Sequence, residues 1–176
     1  MAMRKKTKAQ QVQDWVGKDL VEIVAPGSWP GHLLCKGPSG PLRLAAHIGL
    51  IGMSNRERDH VERRFQNPGK NCPVVAPKGE IAVVFGMAEV KEKRVLVGMD
   101  ADKRVGKTTR QSFFMPLSVI ESGLANAWAE HTNTAGERIV AFAPPLLPLF
   151  VEAYQAQRQV TPAEVRAALK WARAQG

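Results

Sequence analysis

Apolar side chains at Val12, Trp15 and Val16 fall at i, i+3 and i+4, the spacing of a helix that buries one stripe. Residues 8–18 are therefore expected to be helical, with Gly17 weakening the end. Leu20-Val21-Glu22-Ile23-Val24 alternates as a strand does. In the loop of residues 26–31, Trp29 stands among Pro and Gly, where it either stacks on a splayed base or, as such residues more often do, pins its loop to the core. The apolar run His32-Leu33-Leu34-Cys35 is followed by a turn, Gly37-Pro38-Ser39-Gly40. Residues 41–51 are apolar almost throughout, compatible with strand or helix, and helix is expected for the latter half.

Ser54 and Glu57 form a capping box, so a helix is expected to run from there to Phe65 and to stop before Asn67-Pro68-Gly69. Val61 and Phe65 give it one thin apolar stripe. That leaves Arg56, Arg58, Arg63 and Arg64 for solvent, for salt bridges such as Asp59 with Arg63, or for a partner.

Beyond Gly69 the pattern changes to short β-branched runs: residues 73–75, 81–85, 94–97, 111–114 and 137–142, with Lys91-Glu92-Lys93 reading as a hairpin tip. Ser118 and Glu121 make a second capping box, for a helix through Trp128, and another helix is expected near residues 147–157. Thr161-Pro162-Ala163-Glu164 is a third box, opening an amphipathic helix with Val165, Leu169 and Ala172 at i, i+4 and i+7. This last helix is expected to pack on the body, on a protein partner or on a second copy. Strands flanked by helices without a regular alternation indicate an α+β fold, with a mainly antiparallel sheet of about five strands, open or barrel-like. Residues 1–8 read as a basic arm and residues 9–176 as a single α+β domain.

No apolar run approaches the ~20 residues of a membrane helix. The basic start of the chain leads into glutamines rather than a signal peptide's apolar core, so cytoplasmic residence is expected. Cys35 and Cys72 are too few for a disulfide framework, and His32, His47, His60 and His131 lack the spacing of zinc ligands, so no structural metal is expected.

Charge adds the stronger clue. The formal net charge of +9 on 176 residues is unevenly placed. Residues 1–53 hold seven Lys and Arg against three acids, residues 54–110 thirteen against eight, and residues 111–176 five against five. Clustered positive charge suits a polyphosphate surface, because each neutralised phosphate releases condensed counterions.

Ala101 through Gly106-Lys107-Thr108 fits the spacing of a phosphate loop and follows an apolar run, as a nucleotide site requires. The segment after it does not fit. Thr109, Arg110, Gln111, Ser112, Phe113 and Phe114 favour extended backbone, and Pro116 stops any helix that could aim its first amides at a phosphate. Gly106 is the loop's only glycine, and no later apolar run ends in a metal-holding aspartate. Lys103, Arg104, Lys107, Thr108, Thr109 and Arg110 instead offer the cations and hydroxyls that contact a nucleic-acid backbone.

The expected function is nucleic-acid binding, with duplex DNA as ligand. The Arg56, Arg58, Arg63 and Arg64 segment and the Lys103–Arg110 loop are its two contact surfaces, and it needs no cofactor. A rival is an Mg-dependent endonuclease of a restriction or defence type, in which Glu80, Glu89 and Lys91 would supply the acid and acid-x-Lys pattern of a metal-dependent phosphodiesterase. A third is a basic subunit that meets an acidic protein.

Overall fold

A computed structural model describes residues 4–53, 61–69, 71–108 and 112–176. Helix α1 (Lys8–Val16) opens on Thr7, whose hydroxyl accepts from the Gln10 amide while the Gln10 side chain accepts from the Thr7 amide. Strands β1 (Val21–Ala25), β2 (Gly31–Gly37), β3 (Gly40–Leu50), β6 (Ile81–Val90), β7 (Lys93–Met99), β10 (Arg138–Phe142) and β9 (Trp128–Thr132) form one sheet in that order. Every neighbouring pair is antiparallel except β3 with β6. The sheet is open, with β1 and β9 at its edges, and not a barrel. A second sheet of three strands, β4 (Gly52–Met53), β5 (Glu62–Gln66) and β8 (Ser112–Pro116), is built partly from the crossover between the two parallel strands. Helices α2 (Leu117–Asn126), α3 (Leu147–Ala156) and α4 (Pro162–Ala174) complete the fold.

The large sheet is covered on both faces. Val83, Phe85 and Met87 of β6 meet α1, α3 and α4 in one core, whereas Ala82, Val84 and Ala88 meet the small sheet and α2 in another. This two-sided burial explains why residues 41–51 do not alternate and why the latter half is strand rather than the expected helix: residues 44–49 are all buried, so neither face needs a polar partner. Gly49 and Gly86 stand opposite each other in the β3–β6 register, and the Phe65 ring packs over both, where a Cβ on either glycine would overlap a side chain.

Other expectations are corrected. The helix placed up to Phe65 gives way to β5, whose Phe65 is pulled into extended backbone by pairing with β8 and by burial beneath the small sheet. Residues 54–60, with the first capping box, lie outside the described residues. The run 73–75 makes one bridge, Val74 to Val105, rather than a strand. Helix α2 starts at Leu117, before the second capping box, and its Ser118 side chain makes no cap; it ends at Asn126, where Ala127 turns left-handed (φ 64°) into the unforeseen β9. The third box is formed as read, with Thr161 accepting from the Glu164 amide at 3.2 Å.

Trp29 takes the pinning role. Its Nε1 donates to the carbonyls of Cys72 and Pro73 at 2.8 and 3.1 Å, and its ring stacks on Phe65 and meets His47 edge-on. No described helix is long and apolar enough to cross a membrane.

Candidate nucleic-acid interface

The loop that leaves β7 is a string of turns. Asp100 Oδ1 accepts from the amides of Asp102 and Lys103, the amides of Arg104 and Val105 donate to the Ala101 carbonyl, and Gly106 (φ 76°) donates to the Val74 carbonyl. Thr108 accepts from the Asn71 amide at 3.0 Å. Gly106 therefore serves a left-handed turn rather than an anion cradle. From Ser112 the chain is strand β8, as the sequence suggested. Lys103, Lys107 and Thr108 are exposed, whereas Thr109 and Arg110 lie outside the described residues.

Arg104 is corrected outright. It is 6% exposed, with both terminal guanidinium nitrogens donating to the Glu137 carboxylate, Nη1 also donating to the Asp100 carbonyl, and its guanidinium carbon over the Phe113 ring at 4.6 Å. A planar, always-charged group with several donors can be buried only when paired in this way, so Arg104 holds the loop against the turn that precedes β10 and its charge is taken up within the protein.

Arg63 and Arg64 lie on β5, the middle strand of the small sheet. Successive strand residues face opposite ways. Arg63 shares the side of buried Phe65 and donates from Nη1 to the Glu62 carbonyl, whereas Arg64 shares the opposite side of the strand with Glu62 and Gln66, all three partly exposed. Opposite these three stand Phe114, Pro116 and Ser112 of β8, and Gln66 Nε2 donates to Ser112 Oγ at 3.0 Å. The small sheet and the loop belong to one layer over the same face of the large sheet, sharing a core that includes Phe65, Val74, Ala101 and Phe113. The other half of the proposed arginine surface, Arg56 and Arg58, lies outside the described residues.

The acids of the endonuclease reading are not brought together. Glu80 precedes β6 and Glu89 is near its far end, so nine residues of extended chain put them about 30 Å apart. Glu80 is bound to His32 Nδ1 at 2.6 Å, and Glu89 faces Arg94 across the hairpin with 3.9 Å between their charged atoms. Lys91, with φ of 50°, and Glu92, with φ of 66°, form the hairpin tip. Two successive left-handed residues are what a tight two-residue turn demands, so Lys91 is placed by turn geometry rather than by chemistry. No group of three or more His, Cys, Asp or Glu able to hold a metal occurs among the described residues.

A cleft of about 830 Å³ went unread in the sequence. It runs beside β8, between the first turn of α2 and the turn joining β9 to β10. The buried Arg104–Glu137 pair lines its floor. The β9–β10 turn is fixed by Asn133, whose Oδ1 accepts from the Glu137 amide at 2.9 Å and whose own amide donates to the Glu137 carbonyl. Glu62, Phe114, Glu121 and His131 also line the cleft. No spacing could have disclosed it, because its walls come from β5, the 100–108 loop, β8, α2 and the β9–β10 hairpin.

The model of the Methylase-associated X1 family matches residues 42–151, more than half of the chain. The chain belongs to the Methylase-associated X1 family. That span contains the small sheet, the 100–108 loop and every described residue that lines the cleft, and leaves α1, β1, β2 and α4 outside it. No curated protein and no solved structure matched the chain.

Proposed function

We propose that this protein binds nucleic acid, with duplex DNA as the ligand, in a methylase-linked restriction, modification or defence system. The observation that carries the reading is the shared layer of Arg64, Lys103 and Lys107. Arg64 is partly exposed and Lys103 and Lys107 are exposed; Thr108 follows Lys107 in the loop, Gln66 and Ser112 lie on the paired strands β5 and β8, and the three cations belong to the first 110 residues, which hold the whole positive excess. Cations neutralise phosphates, and the hydroxyl and amide groups donate to phosphate oxygens. The family's description, Methylase-associated X1, supports the setting.

The test is direct titration of the full chain with a labelled duplex. Lys107→Ala and Arg64→Ala should each weaken binding about uniformly across sequences, as loss of a phosphate contact does. Unchanged affinity in both variants would remove this layer from the contact surface.

The family's description also favours a second reading, in which the protein is a subunit that docks on a methylase. The amphipathic α4, outside the matched span, is the element proposed to do so, with Arg166, Lys170 and Arg173 exposed on its outer side. A methylase complex that survives excess polyanion but is lost on truncation of α4 would favour this reading over DNA contact.

A further inference from the structure

We propose that strand β9 takes an extended segment of another protein as a further strand of the large sheet, with the segment's alternate apolar side chains in the groove between β9 and α4 and a carboxylate meeting Arg166. The proposal shares α4 with the subunit reading above but stands without it, and it makes no use of the nucleic-acid layer.

The two edges of the large sheet are finished differently. At β1, the Val21 backbone faces away from β2, and α1 closes that edge: the Val21 amide donates to the Gly17 carbonyl and its carbonyl accepts from Gln13 Nε2, both at 3.0 Å. A register shift between Ile23 and Ala25 then interrupts the strand. Covers and bulges of this kind keep an edge from pairing with other chains. Strand β9 has neither. Its residues pair with β10 in unbroken register. The Ala143 amide donates to the Ala127 carbonyl and the Asn133 amide to the Glu137 carbonyl, so Ala129 and His131, in the same alternation, bond inward to β10. In an antiparallel ladder the residues between them face the other way. Trp128, Glu130 and Thr132 therefore direct their amides and carbonyls at the open edge, and no described group bonds to them.

Beside that edge runs a groove of about 600 Å³, with Trp128, Ala129 and Glu130 on one side and Val165, Arg166 and Leu169 of α4 on the other. A strand added to β9 would set every second side chain into this groove, against Trp128, Val165 and Leu169, so the occupant is apolar at alternate positions. Glu130 is engaged within the protein, its Oε1 accepting from Trp128 Nε1 and from Arg138 Nη2. Arg166 is exposed at the groove's lip and has no ion pair or hydrogen bond among the described residues, so the charge it matches is a carboxylate on the segment. A second copy of the chain fits less well. Full-length antiparallel pairing of β9 with itself would set Glu130 opposite Glu130, and like charges directly opposite are destabilising.

The experiment titrates the full chain with a fluorescent peptide that alternates Val with Thr and ends in Glu, and follows backbone amide exchange by NMR. Without peptide, the amides of Ala129 and His131 should be protected while those of Trp128, Glu130 and Thr132 exchange freely; with peptide, all of them should be protected. A peptide N-methylated throughout lacks strand donors and should not bind. Arg166→Glu should weaken the Glu-ended peptide several-fold and bind a Lys-ended one better than the wild type does. Thr132→Pro removes one outward amide at an exposed edge position, where proline is tolerated, and should weaken the peptide without lowering the melting temperature appreciably. Equal binding of the N-methylated peptide, or no added protection at the alternate amides, overturns strand addition, and so does absence of binding at millimolar peptide. Protection of the same amides that rises with protein concentration, without peptide, overturns the proposal in favour of a second copy.

Discussion

Arg104 and Lys107 are three positions apart in one basic run and do opposite things. Arg104 is buried on Glu137, so Arg104→Ala leaves a carboxylate without its counter-charge and should cost about 3–5 kcal/mol of stability. Lys107→Ala, at an exposed position, should stay within about 0.5 kcal/mol of the wild type. Urea midpoints of the two variants check this, and equal losses would contradict it. His47 makes a second residue-level prediction. It is fully buried, with Nδ1 donating to the Val83 carbonyl and Nε2 accepting from the Val75 amide, both at 3.1 Å, so the neutral ring is satisfied on both sides. Burial lowers its pKa from 6.5 to about 4. The unfolded chain thus takes up a proton near pH 6.5 that the folded chain refuses until about pH 4. Stability from this residue is complete above 6.5 and falls with pH between those values, by about 3 kcal/mol in all. In NMR titration, His47 ring resonances should hold still from pH 7 to 5; movement with a midpoint near 6.5 would contradict the buried assignment.

Elements were legible in the sequence where one local signal sufficed and illegible where packing decided. The Thr161–Glu164 box and its helix, the Lys91-Glu92 hairpin tip and the extended segment from Ser112 were all read from neighbouring residues. Strand β3 was not, because burial on both faces erased the alternation that marks a strand. Strand β5 was not, because its arginines and glutamate read as a helix surface while its partner, β8, lies some fifty residues on. The glycines beneath Phe65 state the same dependence on distant chain. Gly49→Ala would force a methyl into that ring and should cost roughly 1–3 kcal/mol, as overpacking does. A thermal melt that matches the wild type would mean the small sheet is not seated on β3 and β6 as described.

The candidate site was half legible. Charge counting pointed to the Lys103–Arg110 loop, whose described residues 103–108 are all exposed except Arg104. The Glu137 partner that removes Arg104 is thirty-three residues away and sits on a different hairpin. The separation of the candidate acids has a related reason: Glu80 and Glu89 are near in number but at opposite ends of an extended strand. The cleft, assembled from five segments, became visible only with the fold.

Across the whole molecule, one face of the large sheet is sealed by helices, and the other carries the small sheet, the basic loop and the cleft. The matched family span, residues 42–151, holds all three of those features. The salt dependence of duplex binding tests this arrangement most directly. Three phosphate contacts by Arg64, Lys103 and Lys107 predict that log K falls against log salt with a slope of about −3 or steeper, and that Lys107→Ala flattens it by roughly 0.9. Binding that ignores salt, or a slope that Lys107→Ala leaves untouched, would contradict the proposed interface.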